Sequence, residues 1–143
     1  MTPFAEYILQ LLVVGAFGAL VAAPFLQLAV RWVCRLRLSY GHAFRIAFVM
    51  VLALGVFEQL AQLYLRAAGI HDTIGLRIAI HAAESALHVF IAAVMVRDAN
   101  AELIGLRRAF FVCLVFLPMA AAAFLALGAL AWYLGARPET MAT

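Results

Sequence analysis

The sequence predicts an all-α fold, a polytopic membrane protein whose four transmembrane helices form an antiparallel bundle. Hydrophobic residues make up 69% of its 143 residues, and charged residues make up only 12%. Soluble domains contain roughly 45–50% hydrophobic and about 25% charged residues. The mean hydropathy of +1.09 also belongs to integral membrane proteins. The expected partner is therefore the lipid bilayer. Nucleic acid is not an expected partner, because the arginines lie at the ends of the apolar segments.

The charged residues divide the chain into segments of membrane length. A helix needs about 20 residues to cross about 30 Å of hydrocarbon. The first segment is uncharged over 7–30 and the fourth over 109–136, while the second is interrupted only by Glu58 and the third only by Glu84. We therefore predict a single domain, 1–143, with helices at about 4–34, 42–68, 74–98 and 105–135. Strands are excluded because an open sheet edge leaves unpaired backbone groups in lipid.

The first and last predicted helices are longer than a straight span requires, and each contains a proline. Pro24 and Pro118 each remove one backbone hydrogen bond, which predicts a kink at that point. Pro24 also allows an alternative, in which the first helix leaves the membrane there and continues along its surface.

The distribution of arginines predicts the orientation. Seven arginines flank the first and third loops, and three flank the opposite side: Arg31, Arg35, Arg37, Arg45, Arg97, Arg107 and Arg108 against Arg66, Arg77 and Arg137. The positive-inside rule places the first and third loops in the cytoplasm and both termini outside it. Arg31, Arg35, Arg37, Arg45, Arg107 and Arg108 are the expected anchors at the membrane interface. All ten basic residues are arginine, which indicates a GC-rich bacterial genome and hence the bacterial inner membrane.

Polar residues form a stripe along the third helix, in the segment RIAIHAAESALHVFIAAVMVR at 77–97. His81, Glu84, Ser85 and His88 fall within an arc of about 100° on a helix. Such a stripe inside a membrane segment is expected to face other helices or a wet cavity.

The second helix has a stripe of its own. Glu58 and Gln62 lie one turn apart, and Gly55 and Arg66 extend the same side. The short connection between the second and third helices makes them antiparallel neighbours, so the two stripes are expected at matching depths. Gln62 is then level with His81, Glu58 with Ser85 and Glu84, and Gly55 with His88.

Three interpretations of this cluster stay open. In the first, Glu58 and Glu84 handle ions or protons, tuned by His81, Gln62 and His88, in a transport or channel-like component or an accessory subunit of a membrane complex. In the second, the cluster is interhelical hydrogen-bond glue in a non-catalytic scaffold. In the third, the chain is a membrane metalloenzyme or redox enzyme, whose metal ligands would be drawn from His81, Glu84, His88 and His71.

The sequence contains no recognisable catalytic constellation. Ser39 and Ser85 lack the motif of an activated nucleophile. His81 and His88 lie about 10.5 Å apart along a helix, too far to serve as the two axial ligands of one haem. No cofactor is therefore predicted and a metal ion is left open. Enzymatic activity stays undecided, with a non-enzymatic role favoured.

Two further segments indicate contacts. GAFGALVAA at 15–23 gives the first helix a smooth face of small residues, which favours close packing inside the bundle, with a homo-oligomer interface as the alternative. Other membrane subunits are also open as partners. RLRLSYGHAFR at 35–45 is a basic loop that anchors the topology, with contact to anionic lipid headgroups or a phosphorylated ligand as the alternative.

Overall fold

The structure is a computed structural model that describes residues 3–70, 73–97 and 102–135. Within these residues the chain forms four helices: α1 (Pro3–Cys34), α2 (Tyr40–Ala67), α3 (Ile74–Met95) and α4 (Gly105–Gly135). Each of these helices in the described part of the chain is long and apolar enough to cross a membrane. The prediction of an all-α bundle of membrane-length helices is confirmed. The third helix ends at Met95 rather than near 98, because Val96 already has extended backbone angles.

Local sequence explains where the helices begin and end. Ser39 and Thr73 are the N-cap residues of α2 and α3, and their hydroxyl oxygens accept hydrogen bonds from the amides of His42 and Leu76. Gly69 follows the end of α2 with a positive φ of 64°. The amide of Ile70 then bonds to the carbonyl of Leu65, which gives the glycine-terminated helix end known as a Schellman motif.

The helices pack in a ring in which α1 and α3 each contact α2 and α4. The fully buried side chains of the ring gather near one end, next to the α1–α2 and α3–α4 connections. They come from 19–30 of α1, 43–50 of α2, 91–96 at the end of α3 and 109–120 of α4. This is the arginine-rich end of the bundle, and we call it the packed end.

The opposite end of the ring is more open, and we call it the open end. In α2 the buried residues stop at Met50, and in α3 they begin at Ile91. The polar residues Glu58, Gln62 and His81 lie in the remaining half of these two helices, and all three are exposed. Side chains of this kind cannot fill a dry apolar core without losing their hydration, so the helices pack less tightly where they occur.

The small residues of α1 lie against α2. A Cβ added to Gly15 would meet Leu52 and Phe48, and one added to Gly18 would meet Val51 and Phe124. The small face therefore allows α1 to approach its neighbours inside the bundle.

The structure corrects the expectation for Gly55. A Cβ at Gly55 would lie 2.5 Å from Cδ1 of Leu11, so this residue faces α1 and does not extend the polar stripe toward α3. The reason is helix rotation, since three residues turn the helix by about 300° and leave Gly55 about 60° from Glu58. This rotation turns Gly55 toward α1, the other neighbour of α2 in the ring.

Both prolines lie inside continuous helices, and the path of α1 relative to the membrane beyond Pro24 stays a prediction. Because proline has no N–H, the carbonyl of Leu20, four residues earlier, loses its usual helical partner at Pro24. The hydroxyl of Tyr40, the first residue of α2, donates to this carbonyl at 3.2 Å. The proline therefore creates an acceptor that ties α1 to α2.

Candidate functional site

A cavity of about 310 Å³ lies between α2 and α3 at the open end of the bundle. We call it the α2–α3 cavity. Its polar lining residues come from both helices, with Glu58 and Gln62 from α2 and Arg77, His81 and Glu84 from α3. Ala61, Leu65 and Ile80 complete the lining. Both polar stripes therefore border one space within helices of membrane length.

On the α2 side of the cavity, the amide of Gln62 faces the carboxylate of Glu58. Gln62 Nε2 donates to Glu58 Oε1 at 3.3 Å, one turn away along the helix. Both residues are exposed. The carboxylate is thus held on the cavity wall and keeps capacity for a further donor, because an ionised carboxylate has about four acceptor positions.

On the α3 side, His81 and Glu84 form a close pair. Nδ1 of His81 lies 2.8 Å from Oε2 of Glu84, three residues along the helix. A contact this short requires a proton between the two atoms, carried by either the imidazole or the carboxyl group. The Glu84 side chain is 21% exposed and that of His81 is 75% exposed. The carboxyl group therefore lies in the cavity wall, while the imidazole reaches its outer rim.

His88 lies one turn beyond Glu84 and is half-buried. Its Nδ1 is 2.9 Å from the backbone carbonyl of Glu84, so this nitrogen carries the proton and donates it. The ring is thereby fixed against its own helix. His88 is not among the residues that line the α2–α3 cavity.

The hydrogen bonds in this cluster run along the helices. Among the described residues, Gln62 bonds to Glu58 within α2, and the Ser85 hydroxyl donates to the His81 carbonyl at 2.8 Å within α3. Interhelical glue was expected to join Glu58 and Gln62 to His81 and Ser85. The bonds found for these side chains each lie within one helix, so glue between the helices stays a prediction.

Metal binding stays a prediction. Among the described residues, no group of three or more His, Cys, Asp and Glu side chains is placed to hold a metal ion. His81 and Glu84 are adjacent, but His88 turns to the backbone. The remaining candidate, His71, lies outside the described residues.

The arginines expected at the membrane interface lie where the helices of the packed end begin and end. Arg31 is in the last turn of α1, Arg45 lies near the start of α2, and Arg107 and Arg108 lie in the first turn of α4. Arg35 and Arg37 are in the α1–α2 connection, and all six of these side chains are exposed. Contact with lipid headgroups stays a prediction.

Polar contacts that were not predicted from the sequence hold the packed end together. Gln27 Nε2 donates to the carbonyl of Leu38 at 2.8 Å, and the His42 ring nitrogen Nε2 lies 3.2 Å from the carbonyl of Met95. Both acceptors are backbone atoms at helix ends or in a connection, and the sequence does not show which side chain reaches them. For the bond from Tyr40 to Leu20, the signal in the sequence was Pro24, which predicts an unpaired carbonyl but not its donor.

Comparisons of the chain with protein-family models, with curated proteins and with solved structures found no match. The chain is a small multi-pass membrane protein built from apolar helices, with a polar cavity between two of them.

Proposed function

We propose that the chain is a transport component of a bacterial inner membrane, and that the α2–α3 cavity handles protons or small cations. One observation carries the proposal: Glu58 from α2 and the His81–Glu84 pair from α3 line the same cavity in membrane-length helices. Ionisable groups are expensive inside a bilayer, so they mark ion or proton pathways more often than structural positions.

The residues around the cavity can change their total charge without a large rearrangement of the chain. The His81–Glu84 pair holds a proton between its two side chains, and Glu58 offers a second carboxylate across the cavity. The two carboxylates and the imidazole thus form one set of proton- and cation-binding groups on the cavity wall. Such a set can accept a proton or a small cation from water at the open end and release it again.

The orientation forms part of the proposal. The arginine count puts the packed end on the cytoplasmic side, so the α2–α3 cavity and both termini would face the periplasm. Reporter fusions at the C-terminus and in the α3–α4 connection test this assignment. We expect the terminal fusion to be active only with a periplasmic reporter, and the reverse pattern would contradict the orientation.

Reconstitution into liposomes tests the function. Vesicles loaded with a pH-sensitive dye should lose an imposed pH gradient faster with the wild-type chain than without protein. Glu58→Gln and Glu84→Gln should reduce this leak to the protein-free rate, because each removes a titrating carboxyl group from the cavity. Glu6→Gln is the matched control, since Glu6 is exposed near the start of α1 and is not in the cavity lining.

The same variants separate the other interpretations. If the cluster is only structural, both glutamine variants should fold and behave as the wild type does, and unchanged proton flux would end the transport proposal. Metal analysis of the purified chain tests the interpretation that it is a metalloenzyme. Bound metal that is lost in His81→Ala would replace the transport proposal with a metal site.

A second candidate function is that of an accessory subunit or a homo-oligomer. The observation that favours it is the 75% exposure of the His81 side chain on a helix of membrane length. Lipid solvates an imidazole poorly, so a neighbouring subunit that covers this rim would stabilise it. Chemical crosslinking in native membranes tests this, with a crosslinked complex expected for the wild type and a weaker one for His81→Leu.

A further inference from the structure

A second cavity lies at the packed end, away from the α2–α3 cavity. It has a volume of about 560 Å³ and lies between the second half of α1 and the α1–α2 connection. We call it the α1 cavity. Its polar lining residues are Arg31, Arg37 and Gln27. Its apolar wall includes Pro24 and Leu28 of α1.

The α1 cavity carries net positive charge. Arg31 comes from the last turn of α1, and Arg37 comes from the connection. Within the described residues, neither guanidinium forms an ion pair with a carboxylate. No carboxylate is among the residues that line the cavity. An anion that enters the cavity therefore meets two cations that are not neutralised there.

The connection that carries Arg37 is held in place by the rest of the fold. The chain turns at Arg35, which has a positive φ of 57°, directly after the last residue of α1. The amide of Gln27 then holds the carbonyl of Leu38 at 2.8 Å. These two features place Arg37 beside α1, so the cavity exists before a ligand arrives.

The apolar wall extends along α1 from Arg31 toward the middle of the helix. Leu28 and Pro24 lie three and seven residues before Arg31, which is about 4.5 and about 10.5 Å along the helix axis. A free phosphate ion is hydrated and gains nothing from such a wall. An acyl chain attached to a phosphate buries apolar surface against it.

We propose that the α1 cavity binds an anionic phospholipid, with its phosphate between Arg31 and Arg37 and one acyl chain along Leu28 and Pro24. Guanidinium groups suit this ligand because they form paired hydrogen bonds to phosphate oxygens. The site lies where α1 ends and the arginine-rich connection begins, which is the depth of the headgroups in a bilayer. This inference is independent of the function proposed for the α2–α3 cavity.

Native mass spectrometry of the full chain in detergent tests the proposal. We add dioleoyl phosphatidylglycerol or dioleoyl phosphatidylcholine at equal concentration and count the lipids retained by each protein molecule. The wild type should retain one phosphatidylglycerol in preference to phosphatidylcholine. Arg31→Gln and Arg37→Gln should each weaken phosphatidylglycerol binding by about tenfold, as expected for the loss of a hydrogen bond to a charged group.

Arg45→Gln is the matched control. It removes the same charge at the same end of the bundle, but Arg45 is exposed on α2 and does not line the α1 cavity. It should retain the phosphatidylglycerol preference, and circular dichroism should show equal helicity for all three variants. If Arg45→Gln weakens binding as much as the other two, the attraction is general surface electrostatics and the proposal is wrong.

A competition experiment separates a lipid from a soluble phosphate ligand. Glycerol 3-phosphate and inorganic phosphate carry the charge but no acyl chain. If either displaces phosphatidylglycerol at a concentration close to that of the lipid, the α1 cavity selects a soluble phosphate and the lipid proposal is overturned. Retention of the lipid against an excess of either supports it.

Discussion

The contact between Tyr40 and the carbonyl of Leu20 permits a quantitative test of how α1 is joined to α2. Pro24 removes the amide that would otherwise satisfy this carbonyl, and the Tyr40 hydroxyl takes its place at 3.2 Å. Tyr40→Phe removes only the hydroxyl. In Pro24→Ala, the backbone amide of residue 24 can restore the helical hydrogen bond to Leu20, so the hydroxyl is no longer needed.

The expected magnitude follows from the length and setting of this hydrogen bond. Intramolecular hydrogen bonds contribute about 0.5–1.5 kcal/mol net, and interhelical ones in membrane proteins average about 0.6 kcal/mol. The distance of 3.2 Å is long for a hydroxyl donor, and Tyr40 is 44% exposed. We therefore expect Tyr40→Phe to lower the free energy of unfolding by about 0.5–1 kcal/mol in the wild-type background. In the Pro24→Ala background the effect should be close to zero.

Unfolding in mixed micelles, followed by circular dichroism or tyrosine fluorescence, measures all four members of this double-mutant cycle. Tyr64→Phe is the control, because Tyr64 is 69% exposed on α2 and its hydroxyl forms no hydrogen bond within the described residues. Equal effects of Tyr40→Phe in the two backgrounds would show that the hydroxyl does not compensate for the proline, and would refute the reasoning.

Three further predictions concern packing and helix ends. Gly55→Ala should leave the chain less stable than Gly128→Ala does, because both replace a glycine inside a helix but only the Cβ at position 55 meets a neighbour, the Leu11 side chain, which must move. Equal unfolding midpoints of the two variants would contradict the α1–α2 packing. Ser39→Ala should destabilise the chain by about 0.5 kcal/mol, the lower limit for an N-cap, because the Ser39 hydroxyl oxygen lies 3.4 Å from the His42 amide. Thermal unfolding measures this difference, and no change would show that the cap is not formed. A maleimide should react with Cys34, which is half-buried, faster than with Cys113, which is 2% exposed. Mass spectrometry of single-cysteine variants measures the two rates. Faster labelling of Cys113 would contradict the position of the core.

The sequence was sufficient for the spans and for most helix ends. Charged residues bracket each apolar segment, because charge is excluded from hydrocarbon, and that alone locates the helices to within a few residues. The structure adds the local causes of two of these ends: Gly69 terminates α2, and Thr73 caps α3. The polar stripes on these two helices follow from the helical period, and the structure places Glu58, Gln62, His81 and Glu84 around one cavity.

The sequence was not sufficient for contacts that depend on the order of helices in the ring. Gly55 was assigned to the polar stripe, but it packs against Leu11 because α2 has neighbours on two sides. Helical periodicity defines the faces of a helix without naming the neighbour that each face meets. For the same reason, the sequence could not predict that Gln27 and Tyr40 donate hydrogen bonds to backbone carbonyls of other segments.

The most direct test of the central claim is whether water reaches the α2–α3 cavity inside the membrane. Ala61→Cys and Leu63→Cys are compared in a chain in which Cys34 and Cys113 are serine. Ala61 lines the cavity, while Leu63 lies at similar depth, is 60% exposed and does not line the cavity. A membrane-impermeant thiol reagent added on the side of the α2–α3 connection should label Ala61→Cys much faster than Leu63→Cys. Equal or reversed labelling rates would show that no aqueous cavity separates α2 from α3.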